Sequence, residues 1–217
     1  MNRQSLELIF TSARQKSGKT ELILELANHM AKDKALNVFV NDADDSARET
    51  AQVKHYIRAD DSGSSSFLFN SDEYQVRYIE PENYDYIITD TNGGTNIKDI
   101  AKLTQRENAV AVCVIGLDNQ EEDVNHLKRL SLVTDCIGIV SASSVNDSNA
   151  LNELLTEARR WRADVLPVAF GYHPVLSELH KRGLGAGQLK RGHENEQNAL
   201  QMNIAAIWET LKEQVGG

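Results

Sequence analysis

A phosphate-loop pattern near the start of the chain constrains the fold more than any other feature of the sequence. The apolar run Leu6–Phe10 is followed by Ala13–Thr20, which reads ARQKSGKT, and then by a segment with apolar residues at helical spacing. A Gly-Lys-Thr that follows a strand and opens a helix is the context in which backbone N–H groups and a lysine bind phosphate. The pattern therefore predicts a strand, a phosphate-binding loop and a helix, in that order.

The composition is that of a folded, acidic chain. Its 217 residues are 41% hydrophobic and carry a formal net charge of -9, which disfavours a mainly electrostatic nucleic-acid binder but leaves a local basic face open. Cys113 and Cys136 lie in apolar runs, which indicates buried thiols rather than a disulfide or a metal site. Neither a membrane-spanning stretch nor a signal-peptide pattern is evident, so we expect a cytoplasmic protein.

Strand-like and helix-like segments alternate along the rest of the chain. Further strands are predicted at Asn37–Val40, Tyr86–Asp90, Ala109–Ile115, Cys136–Val140 and Val165–Phe170, with a weaker edge strand at Tyr74–Ile79 and a mobile loop at Asp60–Ser66. Apolar stripes between and after them predict helices, one of them carrying Val124, Leu127, Leu130 and Leu132. The fold class is therefore α/β: a single-domain P-loop NTPase over residues 1–217, with a mostly parallel β-sheet flanked by helices on both faces.

Acidic residues end two of the predicted strands. Asp90 ends one strand, and Asp42 and Asp44 follow another. Because ligands bind outside the carboxyl ends of strands in such sheets, we expect Asp90 to lie beside the phosphate loop. A carboxylate there can hold Mg²⁺ through water, and the Thr20 hydroxyl can ligate the metal directly. Thr20 and Asp90 are thus predicted metal ligands, and Asp42 and Asp44 are candidates for orienting an attacking water or the metal shell.

The order of these motifs resembles the deviant Walker A ATPases of the ParA/MinD family. The phosphate loop matches that family's K-G-G-x-G-K-T pattern, with Arg14 at the signature-lysine position and Gln15-Lys16 in place of two glycines. Val38–Asp44 resembles the family's strand that ends in D-x-D, where switch I begins, and this match adds Asp44 to the metal site of Thr20 and Asp90. Tyr84–Thr91 resembles the Walker B strand, although Asn92 and Gly93 replace the usual prolines. The resemblance covers nearly the whole chain.

The resemblance implies ATP and Mg²⁺ as cofactors and assigns residues to them. Arg14, Lys19 and Asp44 are the implied catalytic residues, with Arg14 reaching a partner's phosphates in an ATP-bound homodimer. Lys16 remains a competitor for that role, and a cation that only steadies its own loop remains the alternative for Arg14. The implied nucleotide-binding residues are Ala13, Arg14, Gln15, Lys16, Ser17, Gly18, Lys19, Thr20, Glu21, His173 and Pro174, the last two in the segment that closes over the base.

A basic region late in the sequence bears on partners. Glu157–Gly192 contains seven basic and three acidic residues, and the resemblance implies non-specific DNA binding there, through Lys181, Arg182, Lys190 and Arg191. The activity implied is a slow ATPase of plasmid or chromosome partition, nucleoid-associated and stimulated by a small DNA-binding adaptor or cargo protein, with the StbB-like plasmid-stability branch suiting the short chain. No membrane partner is expected, because Ile204–Gly217 has a single cation, Lys212. The alternatives are a metabolic, dethiobiotin-synthetase-like enzyme and a non-hydrolysing, nucleotide-gated binding module.

Overall fold

The computed structural model describes the phosphate loop and most of the sheet and its helices. The described residues are 5–31, 36, 38–43, 67–70, 84–106, 108–116, 120–142, 148–161, 163–171, 176, 179 and 194–216. Within them, eight strands and five helices follow one another as β1 (Leu6–Thr11), α1 (Lys19–Ala31), β2 (Val38–Ala43), β3 (Phe67–Asn70), β4 (Tyr86–Thr91), α2 (Ile97–Leu103), β5 (Ala109–Gly116), α3 (Gln120–Ser131), β6 (Cys136–Ala142), α4 (Ser148–Trp161), β7 (Asp164–Val165), β8 (Phe170–Gly171) and α5 (Glu194–Val215).

The strands form one sheet in the order β3-β2-β4-β1-β5-β6-β7, and β8 also pairs with β6. All pairings among the described strands are parallel. The central strand β1 lies between β4 and β5, with Phe10 opposite both Asp90 and Val112. This arrangement confirms the predicted α/β class and brings the carboxyl ends of β1, β4 and β5 to one edge of the sheet.

Helices cover both faces of the sheet, as predicted. Alternate residues of β1 point to opposite faces: Leu8 and Phe10 pack with α1 and α5, whereas Ile9 packs with α2, α3 and α4. The two cores are fully closed, and Leu8, Ile9 and Phe10 are all 0% exposed. Cys113 and Cys136 are buried and not joined in a disulfide, which confirms the prediction of buried thiols. Burial raises the pKa of the Cys136 thiol to about 12.

Three details depart from the sequence-based predictions. The strand expected over Val165–Phe170 is two short strands, because Pro167 lies between them and has no N–H to donate to β6. Leu132 follows the end of α3 and is 79% exposed, so it does not extend the apolar stripe of that helix. Strand β3 was not predicted, since its apolar run is short, and the predicted edge strand Tyr74–Ile79 and the loop Asp60–Ser66 lie outside the described residues.

Candidate functional site

The loop between β1 and α1 is a compact turn held by its own backbone. The Ser12 hydroxyl donates to the carbonyl oxygen of Arg14 at 2.8 Å. Gly18 has φ 78, in the left-handed region that glycine adopts without steric penalty, and α1 begins at the next residue. Lys16 has φ 60 without being a glycine, a conformation that costs an L-residue about 1 kcal/mol. The helix start directs its first N–H groups and the positive end of its dipole toward this loop.

Lys19 and Thr20 both contact Asp90, the residue at the end of β4. The Lys19 ammonium is buried and donates to Asp90 Oδ1 and to the carbonyl oxygen of Thr91. Thr20 Oγ1 donates to Asp90 Oδ2 at 2.8 Å. The predicted placement of Asp90 beside the phosphate loop is therefore confirmed. The site joins one buried cation, one carboxylate and one hydroxyl, which are the groups that bind a phosphate and its Mg²⁺.

The turn that follows β4 packs directly against the phosphate loop. A Cβ added at Gly93 would lie 2.5 Å from the backbone of Arg14 and Gln15, so only glycine fits there. The Gly94 N–H donates to the carbonyl oxygen of Ser12 at 2.9 Å. The backbone of the turn therefore packs directly on the backbone of the phosphate loop. The close approach of the loop backbone therefore explains why position 93, where the family usually has proline, is glycine in this chain.

The Arg14 side chain extends toward α3 of the same chain. Its Nε lies 3.6 Å from Asp123 Oδ2, and that same oxygen accepts the Gly116 N–H at 2.8 Å. Asp123 is completely buried, whereas the Arg14 side chain is 30% exposed. Burial raises the pKa of the Asp123 carboxyl, and the Gly116 N–H and the Arg14 guanidinium offset part of that rise. Arg14 is therefore the cation that lies next to the buried Asp123 carboxylate.

Sequence reasoning missed Asp123. It lies in the acidic first turn of α3, where aspartate is common at an exposed position. The signal that could have identified it is its spacing, because Asp123, Leu127 and Leu130 follow one another at i, i+4 and i+7 on the buried face. An acidic residue in register with a core stripe needs a partner.

The remaining predicted site residues fall into two groups. Ala13 and Glu21 are partly buried, Gln15 and Lys16 are exposed, and Ser17 is buried. Asp42 lies opposite Asp90 in the pairing of β2 with β4. The other residues stay predictions, because they lie outside the described part of the chain: Asp44, His173, Pro174, Lys181, Arg182, Lys190 and Arg191.

Two buried hydroxyl groups test whether the loop suits a phosphate. Ser17 Oγ, in the loop, and Thr11 Oγ1, at the end of β1, are buried and have no hydrogen-bond partner among the described residues. A buried hydroxyl without a partner costs free energy, which a bound anion or its hydration can recover. Together with Lys19 and the start of α1, these groups fit a nucleotide phosphate.

A polar cavity adjoins the phosphate loop on the side of α2 and α3. Its volume is about 570 Å³. Burial and the nearby Arg129 lower the pKa of His126, so this histidine is neutral at neutral pH. The cavity is lined by Ala13, Gly94, Thr95, Asn96, Ile97, Glu121, Glu122, Asn125, His126 and Arg129. A second ligand of modest size can reach the loop from this side.

Solved structures share this architecture along nearly the whole chain. The MinD cell division protein of Aquifex aeolicus superposes with a TM-score of 0.64 at 16% identity, covering 98% of this chain and 98% of that one. A ParA family ATPase from Chlorobium tepidum TLS gives a TM-score of 0.61 at 14% identity, covering 95% and 98%. The McdA–ATP complex of Cyanothece gives 0.58 at 15%, covering 96% and 96%.

The chain therefore has the fold of the MinD and ParA family P-loop ATPases, which confirms the resemblance at the level of the fold. No family model and no curated protein matches the sequence itself. Among the described helices, none is both long and apolar enough to cross a lipid bilayer.

Proposed function

We propose that the chain is a Mg²⁺-dependent ATPase that dimerises on binding ATP and positions cargo. The observation that carries the proposal is that Lys19 and Thr20, at the start of α1, both contact the Asp90 carboxylate. Lys19 would hold the β- and γ-phosphates of a nucleotide, and the Thr20 hydroxyl and the Asp90 carboxylate would hold its metal. Bound Mg²⁺ supplies charge neutralisation on the phosphates.

Loss of nucleotide binding in Lys19→Ala tests this assignment. We expect ATP affinity, measured by calorimetry, to fall below detection while circular dichroism shows an intact fold. Lys98→Ala is the matched control, since the Lys98 side chain on α2 is exposed, whereas Lys19 is buried against Asp90. Undiminished ATP affinity in Lys19→Ala would refute the phosphate-loop assignment.

Asp44 is proposed to orient the attacking water or the metal shell. Such a group acts chiefly in the transition state, so Asp44→Ala should lower the hydrolysis rate more than ATP affinity. Equal losses of hydrolysis rate and ATP affinity would instead give Asp44 a structural or metal-holding role.

The nucleotide base is proposed to contact the segment that contains His173 and Pro174.

ATP-dependent, sequence-independent DNA binding is the proposed output, and it implies association with the nucleoid. It rests on the basic residues Lys181, Arg182, Lys190 and Arg191. If these four contact phosphates, the logarithm of affinity should fall against the logarithm of salt concentration with a slope of about −4. Arg182→Glu should weaken retention on DNA without changing ATP affinity, whereas Lys98→Glu, an equal change of charge on α2, should leave retention intact.

Partner stimulation and a cytoplasmic site of action complete the proposal. Turnover is slow alone and is raised by a small DNA-binding adaptor or cargo protein. The end of α5 supports an aqueous setting over a lipid surface, because Lys212 lies 2.7 Å from Glu209 and 5.9 Å from the centre of the Trp208 ring. A cation engaged in this way is a weak anchor for anionic lipid.

The cavity beside Ala13 favours a second candidate function, a metabolic enzyme that uses ATP to modify an organic substrate. Its polar lining next to the loop is where a substrate would meet the γ-phosphate. Retention on DNA at low salt with a non-hydrolysed ATP analogue separates the two candidates. Retention supports the positioning ATPase, and its absence supports the metabolic enzyme or a module that binds only a protein partner.

A further inference from the structure

Two large apolar side chains are exposed in the turn that ends α3. Among the described residues, the large apolar side chains exposed to solvent are Leu132 at 79%, Val133 at 55% and Met202 at 73%. Leu132 and Val133 are adjacent, and the Val133 N–H donates to the carbonyl oxygen of Leu130 at 3.0 Å, which fixes the turn on the end of the helix. Such a pair marks an interaction surface where its surroundings also select a partner.

The ends of α2, α3 and α4 lie side by side at this turn. Each helix joins two strands of the parallel sheet and all three cover the same face, so their last turns lie at the amino edge of the sheet, opposite the phosphate loop. Thr134 Oγ1 donates to Thr104 Oγ1 at 2.7 Å and joins the turn after α3 to the turn after α2. Leu130 and Ala158, in the last turns of α3 and α4, belong to one core cluster.

Basic side chains accompany the exposed apolar pair. The last turns of α2, α3 and α4 contain no acidic residue. Cations at helix ends complement the helix dipole, but that effect does not account for the exposure of Leu132 and Val133. We name these two residues the helix-end surface, together with six exposed cations of the last turns and of the turn after α2: Lys102, Arg106, Lys128, Arg129, Arg159 and Arg160.

Few carboxylates oppose these cations. Lys102 and Arg106 form ion pairs within the chain. Asp135 and Asp164 are exposed just before β6 and at the start of β7. The helix-end surface therefore keeps an excess of positive charge, in a chain whose formal net charge is -9.

We propose that the helix-end surface binds an acidic segment of a partner protein that also carries apolar side chains. Such a segment places its carboxylates against the cations and its apolar groups on Leu132 and Val133, while Asp135 and Asp164 stay in water. Duplex DNA would use the cations and leave the apolar pair against its phosphates. A flat anionic bilayer would also bring its headgroups onto Asp135 and Asp164. The proposal goes beyond the nucleotide site and does not depend on ATP.

Synthetic peptides of defined composition test this proposal by fluorescence anisotropy. The probe is a labelled, glutamate-rich peptide with spaced leucines. It is compared with the same peptide carrying serine for leucine and with the same peptide carrying lysine for glutamate. We expect each change to weaken binding about tenfold, because one removes the apolar contact and the other reverses the charge. Added salt should weaken binding of the glutamate–leucine peptide.

Variants of exposed side chains locate the binding surface. Leu132→Ser combined with Val133→Ser should lower the affinity for the glutamate–leucine peptide about tenfold, whereas Met202→Ser on α5 should leave it unchanged. Lys128→Glu should lower it about fivefold, whereas Lys98→Glu, an equal change of charge at the start of α2, should not. Thermal melts establish that each variant is folded at the temperature of the measurement.

Equal affinity for the leucine and serine peptides, or unchanged affinity in the Leu132→Ser, Val133→Ser chain, overturns the proposal. Stronger binding to duplex DNA or to vesicles of phosphatidylglycerol and phosphatidylcholine, lost in the same variants, also overturns it and assigns the surface to nucleic acid or lipid. A chain that binds ATP and fails the peptide test leaves the proposed ATPase standing. A chain that binds the peptide as expected and does not bind ATP supports this surface and overturns the proposed function.

Discussion

Arg14 Nε lies 3.6 Å from Oδ2 of Asp123 in the same chain. The residue at the signature position of the phosphate loop therefore faces a buried carboxylate of its own subunit. A guanidinium that reaches a partner's phosphates has to leave this carboxylate, so the isolated chain and the proposed dimer place Arg14 differently. Four testable predictions follow from this site and from the loop around it.

The first prediction concerns Arg14 and dimerisation. Arg14→Ala should leave the ATP affinity of the single chain nearly intact and abolish the ATP-induced dimer, because the cation proposed to cross the interface is gone. Arg14→Lys should restore part of the dimer, since it keeps the charge and loses the planar, bidentate fork. Analytical ultracentrifugation with a non-hydrolysed ATP analogue measures both variants.

Lys16→Ala is the control for this prediction. A dimer that persists in Arg14→Ala and disappears in Lys16→Ala transfers the role to Lys16. A dimer that survives both changes shows that the loop does not cross the interface and leaves Arg14 as a cation of its own loop.

The second prediction concerns the pH dependence that Asp123 imposes on stability. The pKa of Asp123 is raised in the folded chain, chiefly by burial, above the ordinary value of 3.8. The folded chain then holds this proton more tightly than the unfolded chain, so the stabilising contribution is present below the ordinary value and is lost as pH rises through the folded-state pKa. Asp123→Asn does not titrate and can still accept the Gly116 N–H.

Urea denaturation at about pH 4 and about pH 7 measures this effect as a difference between chains. Relative to Asp123→Asn, the wild type should lose free energy of unfolding between the two pH values. Arg14→Ala should lose more than the wild type, because the cation that favours the ionised carboxylate is removed. A wild type that tracks Asp123→Asn at both pH values contradicts the prediction.

The third prediction concerns the backbone of Lys16. Because Lys16 has φ 60, Lys16→Gly should raise the free energy of unfolding by about 1 kcal/mol, or about 3 °C in melting temperature. Lys16→Ala removes the same charge and keeps the Cβ, so it should bring no such gain. Equal stabilisation by both changes would attribute the effect to charge rather than to backbone conformation.

The fourth prediction concerns the packing of Gly93 on the phosphate loop. A Cβ at Gly93 meets backbone atoms at 2.5 Å, so Gly93→Ala should displace the loop, destabilise the chain by about 1 to 3 kcal/mol and weaken tripolyphosphate binding. Gly94→Ala is matched to it: φ +84 strains that residue, but its Cβ would lie 3.4 Å from the nearest backbone oxygen. It should lower stability with little effect on phosphate affinity. Calorimetry that shows equal affinity losses in both variants contradicts the proposed loop displacement.

Much of the fold could be predicted from the sequence because its signals are local. The continuous apolar run Ala109–Ile115 predicts a strand, and the helical spacing of apolar residues from Leu22 to Met30 predicts a helix with one buried face. The structure confirms both. The placement of Asp90 beside Lys19 followed from a general rule about parallel sheets. The break between β7 and β8 was harder to predict, because the apolar run around Pro167 favours one continuous strand.

The missed parts of the site depend on contacts between distant segments. The spacing of Asp123 with Leu127 and Leu130 indicates that it is buried, but its contacts with Gly116 and Arg14 arise only from the fold. The direction of the Arg14 side chain is not encoded by spacing along the chain. Strand β3 is a further case, since its four residues are short for a strand and pair with β2 at the edge of the sheet.

The order of strands in the sheet has a consequence for how the chain matures. Lys19 and Asp90 are 71 residues apart in sequence and become neighbours only because β4 pairs directly with β1. Asp123 follows β5, which flanks β1 on its other side. During synthesis the phosphate loop therefore emerges before Asp90 and Asp123 have been made, so Lys19 and Arg14 lack these carboxylates until β4 and α3 follow. The contacts around the phosphate loop are therefore complete only after β4, β5 and the start of α3 have packed beside it.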